Sequence, residues 1–205
     1  MSSGPLAVPD LPCIIAPKRH VDPRGWFSET FHEQRVHDLG IPCRFVQDNQ
    51  SSSRSAGTLR GLHFQLPPHA QAKLIMALRG RILDVAVDLR RGSPTYGRHV
   101  SAEISAECGR QFYIPIGFAH GFLTLTDDVL VMYKTSDYYA PAHDSGIRWD
   151  DPDIAIPWPM NASDLIISEK DRRLPYLAAF ESPFAYDGHP LMPLASEAGQ
   201  PRVNA

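Results

Sequence analysis

Apolar and polar residues alternate with a period of two along several short segments of the chain. The runs 81–89, 99–105 and 129–135 place apolar side chains at every second position. This period is typical of β-strands with an apolar face. Turn-forming residues separate the runs, as at Gly92-Ser93-Pro94 and Glu107-Cys108-Gly109. Many short strands at such spacing predict an all-β protein, which we expect to be a single antiparallel jelly-roll barrel.

Helical patterns are scarce and short. Residues 30–33 have the spacing of a capping box, which predicts a helix that ends at Gly40. A second helix is predicted to begin at Ser168. We expect the barrel to occupy residues 1–180. Residues 181–205 are rich in Pro, Gly, Ser and Ala, so this tail is expected to be loosely ordered or packed on the barrel.

Length and charge narrow the class of protein. A chain of 205 residues suits one domain with a substantial core. A net charge of −3 gives no electrostatic argument for nucleic acid or an anionic membrane as a partner. The three cysteines are few and widely separated, which favours the reducing cytoplasm over a disulfide framework or a zinc site. The N-terminal residues lack a signal-peptide pattern, and no apolar run approaches the ~20 residues of a membrane span.

One motif carries most of the information about chemistry. Gly57 is followed after five residues by His63, and Gln65 lies two positions further on. Lys73 precedes Gly80 with six residues between them. These spacings resemble the first metal-binding motif of cupin barrels, Gly-x5-His-x-His followed by Glu-x6-Gly. In this chain Gln65 replaces the second histidine and Lys73 replaces the glutamate.

The second cupin motif is intact, because Gly109, Pro115, Gly117 and His120 keep the spacing Gly-x5-Pro-x-Gly-x2-His. Two imidazoles therefore share a predicted pocket with a cation. Metal ligands are lone-pair donors, and a nearby ammonium group repels a divalent ion, so Lys73 argues against a metal. The pattern predicts a pocket without metal or cofactor that carries out acid–base chemistry on an organic substrate.

Each candidate residue also has a purely structural interpretation. Taken singly, His63 is explained as an interior histidine, Lys73 as a strand-edge lysine and Tyr133 as a core tyrosine. In the same way, His120 is explained as a turn residue and Asp171 as a helix cap. Only their combination favours a reactive pocket. Simple alternation also places Arg60 and His63 on opposite faces of one strand. Both reach one pocket only if a bulge intervenes, and Gly61 is suited to one.

Six segments, in matching order, resemble the dTDP-4-dehydrorhamnose 3,5-epimerase family. They are residues 22–29, 46–51, 59–65, 115–122, 133–139 and 168–171. The resemblance implies a metal-free cupin homodimer that epimerises C3 and C5 of dTDP-4-dehydro-6-deoxy-D-glucose. The product, dTDP-4-dehydro-L-rhamnose, lies on the route to dTDP-L-rhamnose.

The resemblance also implies roles for individual residues. His63 would be the base, Asp171 its partner, and Tyr133 the acid on the opposite face of the sugar ring. The residues expected around the substrate are Arg60, Lys73, His120, Gln47, Asn49, Tyr139 and Lys170. Those expected to enter from the second subunit are Arg24, Phe27 and Glu29. Asp144 stands where the family usually has a longer Glu that contacts the nucleotide base.

Elementary chemistry explains why such residues are needed. Epimerisation beside a ketone removes a weakly acidic C–H proton and returns a proton to the opposite face. The intermediate is an enolate. A fixed positive charge beside the enolate oxygen is usually the largest single contribution to stabilising the transition state. Lys73 is the first candidate for that charge and His120 the second. A histidine base has a pKa near neutrality, and a carboxylate behind it fixes its tautomer.

Three other functions fit parts of the pattern. A mono-epimerase acting at C3 or C5 alone would use the same base and the same enolate, so the motifs do not separate it from a 3,5-epimerase. A metal-dependent cupin oxygenase would bind its metal through His63, Gln65 and His120. A non-catalytic barrel would bind the sugar nucleotide, although binding alone requires no proton acceptor.

Overall fold

The computed structural model of the chain describes residues 11–194. The strands are β1 (Cys13–Ile15), β2 (His20–Asp22), β3 (Gly25–Phe27), β4 (Gln47–Ser53), β5 (Thr58–Gln65), β6 (Lys73–Arg79), β7 (Arg81–Asp88), β8 (His99–Ser105), β9 (Gln111–Ile114), β10 (Phe118–Thr124), β11 (Val129–Thr135), β12 (Asp144–Gly146) and β13 (Ile166–Ile167). The α-helices are α1 (Glu33–Asp38) and α2 (Glu169–Arg172). Three 3-10 turns cover Pro141–His143, Ala162–Asp164 and Leu177–Ala179.

The strands form two main sheets and one hairpin. The first sheet has the order β1-β9-β6-β11-β4, and the second has the order β12-β5-β10-β7-β8, with β13 added in parallel to β5. Apart from β13, the paired strands are antiparallel. Strands β2 and β3 form a separate hairpin. The predicted all-β, antiparallel barrel is therefore confirmed.

The main core lies between the two sheets. Its buried side chains come from both of them, for example Phe112 and Val131 from the first sheet and Ile104 and Phe122 from the second. Apolar burial of this kind is the main stabilising contribution to a barrel. The alternation predicted for β8 follows from this packing, since its apolar positions face the core.

A second core covers the outer face of the second sheet. Val85 and Val87 of β7 pack there against the later segments, including Ile147 and Leu177. Strand β7 is consequently buried on both faces, and its two aspartates lie inside the protein, fully shielded from solvent. The other face of β7, which carries Asp84, therefore points into the interior of the barrel.

The two helix predictions had different outcomes. Helix α1 is present, but its N-cap is His32, and no side chain caps it, so the predicted capping box is wrong. The helix begins two residues later than the pattern predicts, because His32 and not Thr30 precedes its first turn. Helix α2 begins after Ser168, and the Ser168 hydroxyl accepts a hydrogen bond from the Asp171 amide, which confirms that prediction.

The chain continues past the barrel as an ordered segment, residues 182–191, which we call the C-terminal strap. Phe184 and Leu191 are buried in the two cores. Buried Arg90 pairs with Asp88 and with Asp187 of the strap, both at 2.9 Å. Residues 195–205 lie outside the described part, and the division at residue 180 stays a prediction.

Within residues 11–194, the longest helices are too short to cross a membrane.

The β2–β3 hairpin presents large apolar side chains to solvent, with Phe27 71% exposed and Val21 80% exposed. An exposed apolar hairpin of this kind is a common feature of surfaces that meet another protein.

Candidate active site

A cavity of about 760 Å³ opens inside the barrel, between the walls formed by the two sheets. A side lobe of about 320 Å³ adjoins it and shares His63, Lys73, Tyr133 and Lys170 with it. Strands β5 and β10 of the second sheet supply the two histidines. Strands β6 and β11 of the first sheet supply Lys73 and Tyr133. The sequence motifs, which are far apart in the chain, thus converge on one pocket.

The bulge predicted in β5 is confirmed. His63 pairs with His120, whereas Arg60 pairs with Phe122, so three steps along β5 face two along β10. Gly61 adopts φ +125°, and a Cβ atom there would lie 2.6 Å from the Cα of Gly121. The bulge therefore requires glycine, and it turns both His63 and Arg60 towards the cavity.

His63 forms a dyad with Asp171. The His63 Nε2 and Asp171 Oδ1 atoms lie 2.7 Å apart, and the Gly61 amide donates to Asp171 Oδ2 at 3.2 Å. Burial alone would raise the pKa of the Asp171 carboxyl, but the bonds from His63, Gly61 and Ser168 lower it overall. Asp171 is therefore ionised, and it acts on His63 instead of capping its own helix.

Lys73 is a buried cation directly beside this dyad. Its Nζ atom donates to the His63 carbonyl oxygen at 3.2 Å. Burial lowers the pKa of Lys73 to about 8, and the negative charges of Asp144 and Asp84 oppose that decrease. The side chain consequently keeps its proton at neutral pH but lies close to losing it.

His120 forms a second dyad, with Asp84, at 2.6 Å. Burial lowers the pKa of His120, and Asp84 only partly offsets this decrease. His120 is therefore neutral near pH 7 and can only exchange hydrogen bonds there. Sequence reasoning missed Asp84 as a member of the site. A carboxylate in the middle of an apolar strand was the available signal.

Tyr133 stands on the wall opposite His63. It lies on β11, in the first sheet, and burial raises the pKa of its phenol. The hydroxyl is thus protonated throughout the neutral range and can donate a proton or a hydrogen bond. A ring held between His63 and Tyr133 would meet a base on one face and an acid on the other.

The predicted binding residues of the same chain also line the cavity or its side lobe. They are Arg60, His120, Gln47, Asn49, Tyr139, Asp144 and Lys170. Asp144 accepts a hydrogen bond from the Tyr139 hydroxyl at 3.0 Å and pairs closely with Lys170. This pairing raises the pKa of Lys170, which stays cationic at the pocket mouth.

The three residues expected from the second subunit lie elsewhere on this chain. In the described part of a single subunit, Arg24, Phe27 and Glu29 do not line the cavity. Arg24 pairs with Asp22 of its own hairpin, and Glu29 pairs with Arg35 at 3.0 Å. Their proposed role therefore depends on a second copy of the chain.

The positions that hold metal in other cupins are engaged in different contacts. The amide of Gln65 points at backbone carbonyl oxygens, and each histidine is paired with its own carboxylate. Within residues 11–194, no three or more His, Cys, Asp or Glu side chains are grouped as a metal site would require. The expectation that no cofactor is needed stays a prediction.

Comparisons with known proteins agree on one family. A family model described as dTDP-4-dehydrorhamnose 3,5-epimerase matches residues 5–179. A curated enzyme of that name from Methanothermobacter thermautotrophicus is 54% identical over 160 residues, which cover 78% of this chain and 85% of that protein. Its counterpart from Sinorhizobium fredii is 49% identical over 177 residues, covering 84% and 88%.

Solved structures give the same picture. An epimerase from Legionella pneumophila in complex with dTDP-4-keto-L-rhamnose has a TM-score of 0.80 and 44% identity, covering 84% of this chain and 92% of that one. A 3′-monoepimerase from Streptomyces bikiniensis in complex with dTDP-quinovose has a TM-score of 0.74 and 37% identity, covering 82% and 84%.

Proposed function

The chain belongs to the dTDP-4-dehydrorhamnose 3,5-epimerase family, and from this premise we propose how its cavity performs the reaction. The reaction inverts C3 and C5 of dTDP-4-dehydro-6-deoxy-D-glucose and yields dTDP-4-dehydro-L-rhamnose, in dTDP-L-rhamnose biosynthesis. The carrying observation is the arrangement of a His–Asp dyad and a tyrosine on opposite walls of one cavity.

His63 is the base in this proposal. The ionised Asp171 at 2.7 Å holds a proton on Nε2, which leaves Nδ1 as the acceptor for the proton of C3 and then of C5. The same carboxylate stabilises the imidazolium formed in the step, as in a Ser–His–Asp triad. His63 remains about one-third exposed, so the captured proton can exchange with solvent.

Lys73 stabilises the enolate. When the C–H bond breaks, its electron pair moves into the ring and negative charge develops on the C4 oxygen. A preorganised cation or donor at such an oxygen contributes about 3–4 kcal/mol of transition-state stabilisation. The support is the buried ammonium of Lys73 beside His63. Neutral His120 gives its Nε2 proton to Asp84 and presents Nδ1 as an acceptor, so it can bind a substrate hydroxyl but leaves the enolate oxygen to Lys73.

Tyr133 returns the proton on the opposite face. Its phenol is protonated at neutral pH, since burial raises its pKa. Protonation of the enolate carbon by Tyr133 inverts that carbon, whereas return of the proton by His63 regenerates the substrate. The phenolate then recovers its proton from solvent.

The nucleotide is bound by the remaining polar residues and by a second subunit. Arg60 and Lys170 are the cations for the diphosphate, and Tyr139 and Asp144 lie in the lobe for the base. We propose a homodimer in which the β2–β3 hairpin brings Arg24, Phe27 and Glu29 to the neighbouring cavity. We also propose a cytoplasmic location, which the few and widely separated cysteines support.

Deuterium exchange tests substrate, reaction and position together. The protein is incubated with dTDP-4-dehydro-6-deoxyglucose in D2O, and the H3 and H5 signals are followed by NMR. We expect both signals to disappear as the product forms. Exchange at C3 alone would assign the chain to a mono-epimerase, which the similarity to the Streptomyces bikiniensis enzyme makes the second candidate. Folded protein with no exchange would refute epimerisation.

Two variants separate the base from the acid. His63→Ala is expected to abolish exchange at both carbons, because no other group takes the proton. Tyr133→Phe is expected to keep the loss of H3 to solvent but to reduce product formation by about 10²–10⁴-fold, the usual contribution of a general acid. Wild-type exchange in His63→Ala would remove His63 from the role of base.

A further inference from the structure

Gln65 occupies the position of the second histidine of a cupin metal site, and it is fully engaged in a different task. Its side chain is buried, with 3% of the residue exposed. The Nε2 atom donates to the His69 carbonyl oxygen at 2.6 Å and to the Tyr138 carbonyl oxygen at 3.2 Å. The Oε1 atom accepts from the Ala140 amide at 2.8 Å. One amide side chain therefore binds three backbone groups.

Two of these groups belong to the segment of residues 137–140, which we call the rim loop. Other side chains hold the same loop, from strands β4 and β11 and from the segment that precedes β6. Gln47 accepts from the Tyr139 amide at 3.0 Å, and Gln71 donates to the Asp137 carbonyl oxygen at 2.7 Å. Thr135 also donates to that oxygen, at 2.9 Å. The rim loop is thus fastened to the barrel mainly by side chains, in place of a strand ladder.

The rim loop carries Tyr139 over the side lobe of the cavity. Tyr139 is more than half exposed, but its backbone is fixed on both sides, by Gln47 and by Gln65. Its hydroxyl donates to Asp144, which is also the residue paired with Gln65 in the β5–β12 ladder. Gln65 therefore contacts both elements that form the rim of the lobe.

We infer that Gln65 is a positioning residue for nucleotide binding, which fixes the rim loop and thereby Tyr139 and Asp144. The inference rests on the proposed function, since it assigns the side lobe to the nucleotide. A rigid aromatic side chain binds a base with less loss of entropy than a mobile one, so the gain is in binding and not in proton transfer. The hydrogen bonds of the Gln65 amide go to His69, Tyr138 and Ala140 and not to the base, the acid or the enolate-stabilising group.

The test uses two substitutions at one site. Gln65→Met keeps the approximate volume and removes all three hydrogen bonds, whereas Gln65→Glu keeps the acceptor for Ala140 and removes both donors. We expect Gln65→Met to raise KM and the Kd for dTDP by about tenfold or more, because buried backbone groups lose their partners and the loop loosens. Gln65→Glu is expected to have the same sign, with kcat within about threefold of wild type in both.

Gln111→Met provides a matched control. Gln111 is an equally buried glutamine on β9, its amide donates to the Thr30 carbonyl oxygen at 2.7 Å, and it does not line the cavity. We expect Gln111→Met to lower the melting temperature without weakening the binding of dTDP. The inference is overturned if Gln65→Met weakens the binding of dTDP no more than Gln111→Met does. It is also overturned if the kcat of Gln65→Met falls while its binding of dTDP is unchanged.

The dTDP measurement separates this inference from the proposed reaction. Binding of dTDP is followed by calorimetry and requires no turnover. If the wild-type protein bound dTDP but exchanged neither H3 nor H5, the reaction would be refuted, while a loss of binding in Gln65→Met would still support the role of Gln65.

Discussion

At the scale of single residues, the most unusual group is the ammonium of Lys73. A lysine is rarely buried without a carboxylate in direct contact, since burial disfavours its charge. Within residues 11–194 it has one hydrogen bond, to the His63 carbonyl oxygen, and two more distant negative charges. Its pKa falls to about 8, so its protonation changes within reach of ordinary buffers.

This pKa predicts the alkaline limit of activity. Below pH 8 the ammonium is present and can meet the enolate, whereas above it Lys73 becomes neutral and that stabilisation is lost. We therefore expect kcat/KM for exchange at C3 to fall as the pH rises through about 8. The profile is measured between pH 6 and 10 by NMR in D2O. Activity that stays constant to pH 10 would contradict this role.

Lys73→Met serves as the control for stability. The variant should lose exchange activity at every pH. Its melting temperature at pH 7 should equal or exceed that of the wild type, because folding no longer requires burial of a charge. Loss of activity together with unfolding would instead indicate a structural role.

Of the two carboxylates paired with the histidines of the cavity, the sequence predicted Asp171 but not Asp84. The cupin spacing and the family motifs pointed to His63, Lys73, His120 and Tyr133, which line one cavity, since each lies within a local pattern. Asp84 was missed because its contact with His120 depends on which strands pair. That pairing brings together residues 36 positions apart and leaves no local trace.

At the scale of secondary structure, β5 determines most of the site. Its bulge at Gly61 allows residues that would face opposite sides to enter one cavity. The positive φ of Gly61 and its close approach to Gly121 and to the His120 carbonyl oxygen exclude any other residue. The geometry of the base therefore depends on a residue with no side chain.

Gly61→Ala tests this dependence. The substitution combines an unfavourable backbone conformation with overlap against β10, so we expect a loss of about 3 kcal/mol or more in the free energy of unfolding. Gly92→Ala is the matched control, because it has φ +86° but open space around its Cβ position. It should cost only about 1–2 kcal/mol. Urea unfolding measures both, and equal losses would contradict the argument.

Strand β5 and the two helices show what a sequence can predict about secondary structure. Alternation and a glycine in the right place predicted the strand and its bulge. The capping pattern at Ser168 predicted α2, but the similar pattern at residues 30–33 failed, since α1 begins two residues later than it predicts. Local signals thus predict the type of an element better than its boundaries.

At the scale of the whole molecule, the exposed β2–β3 hairpin is the feature that a single subunit leaves unexplained. Trp26 and Phe27 are more than half exposed, and the neighbouring Arg24 is an accessible cation. Large apolar residues together with arginine are typical of the centres of protein interfaces. The hairpin therefore supports the proposed dimer, in which each cavity is completed by the other copy.

A mixed dimer tests this sharing directly. His63→Ala and Arg24→Ala are expressed together with different tags, and the mixed dimer is purified. If the hairpin serves the neighbouring cavity, the mixed dimer has one intact site and about half of the wild-type activity. If the hairpin serves its own cavity, both sites are defective and activity is not recovered. The two single-variant homodimers, each weakly active, are the baselines.

The fold class was predictable from the sequence, but the arrangement of the sheets was not. Alternating runs indicate strands wherever one side is buried, and this signal was sufficient for an all-β barrel. The order β12-β5-β10-β7-β8 depends on pairings between distant segments, which periodicity does not encode. The double burial of β7 has the same origin, since residues 147–184 cover its outer face.

The C-terminal strap shows that the end of the family match and the end of the packed part of the chain are different positions. The family model ends at residue 179, yet Phe184 and Leu191 fill apolar sockets in both cores. The match to the family model therefore ends before the packed part of the chain does. A chain that ended at residue 179 would expose to water the apolar side chains that Phe184 and Leu191 cover. It would also leave Arg90 with one carboxylate partner in place of two. Any shortened version of this protein should accordingly keep the chain through Leu191.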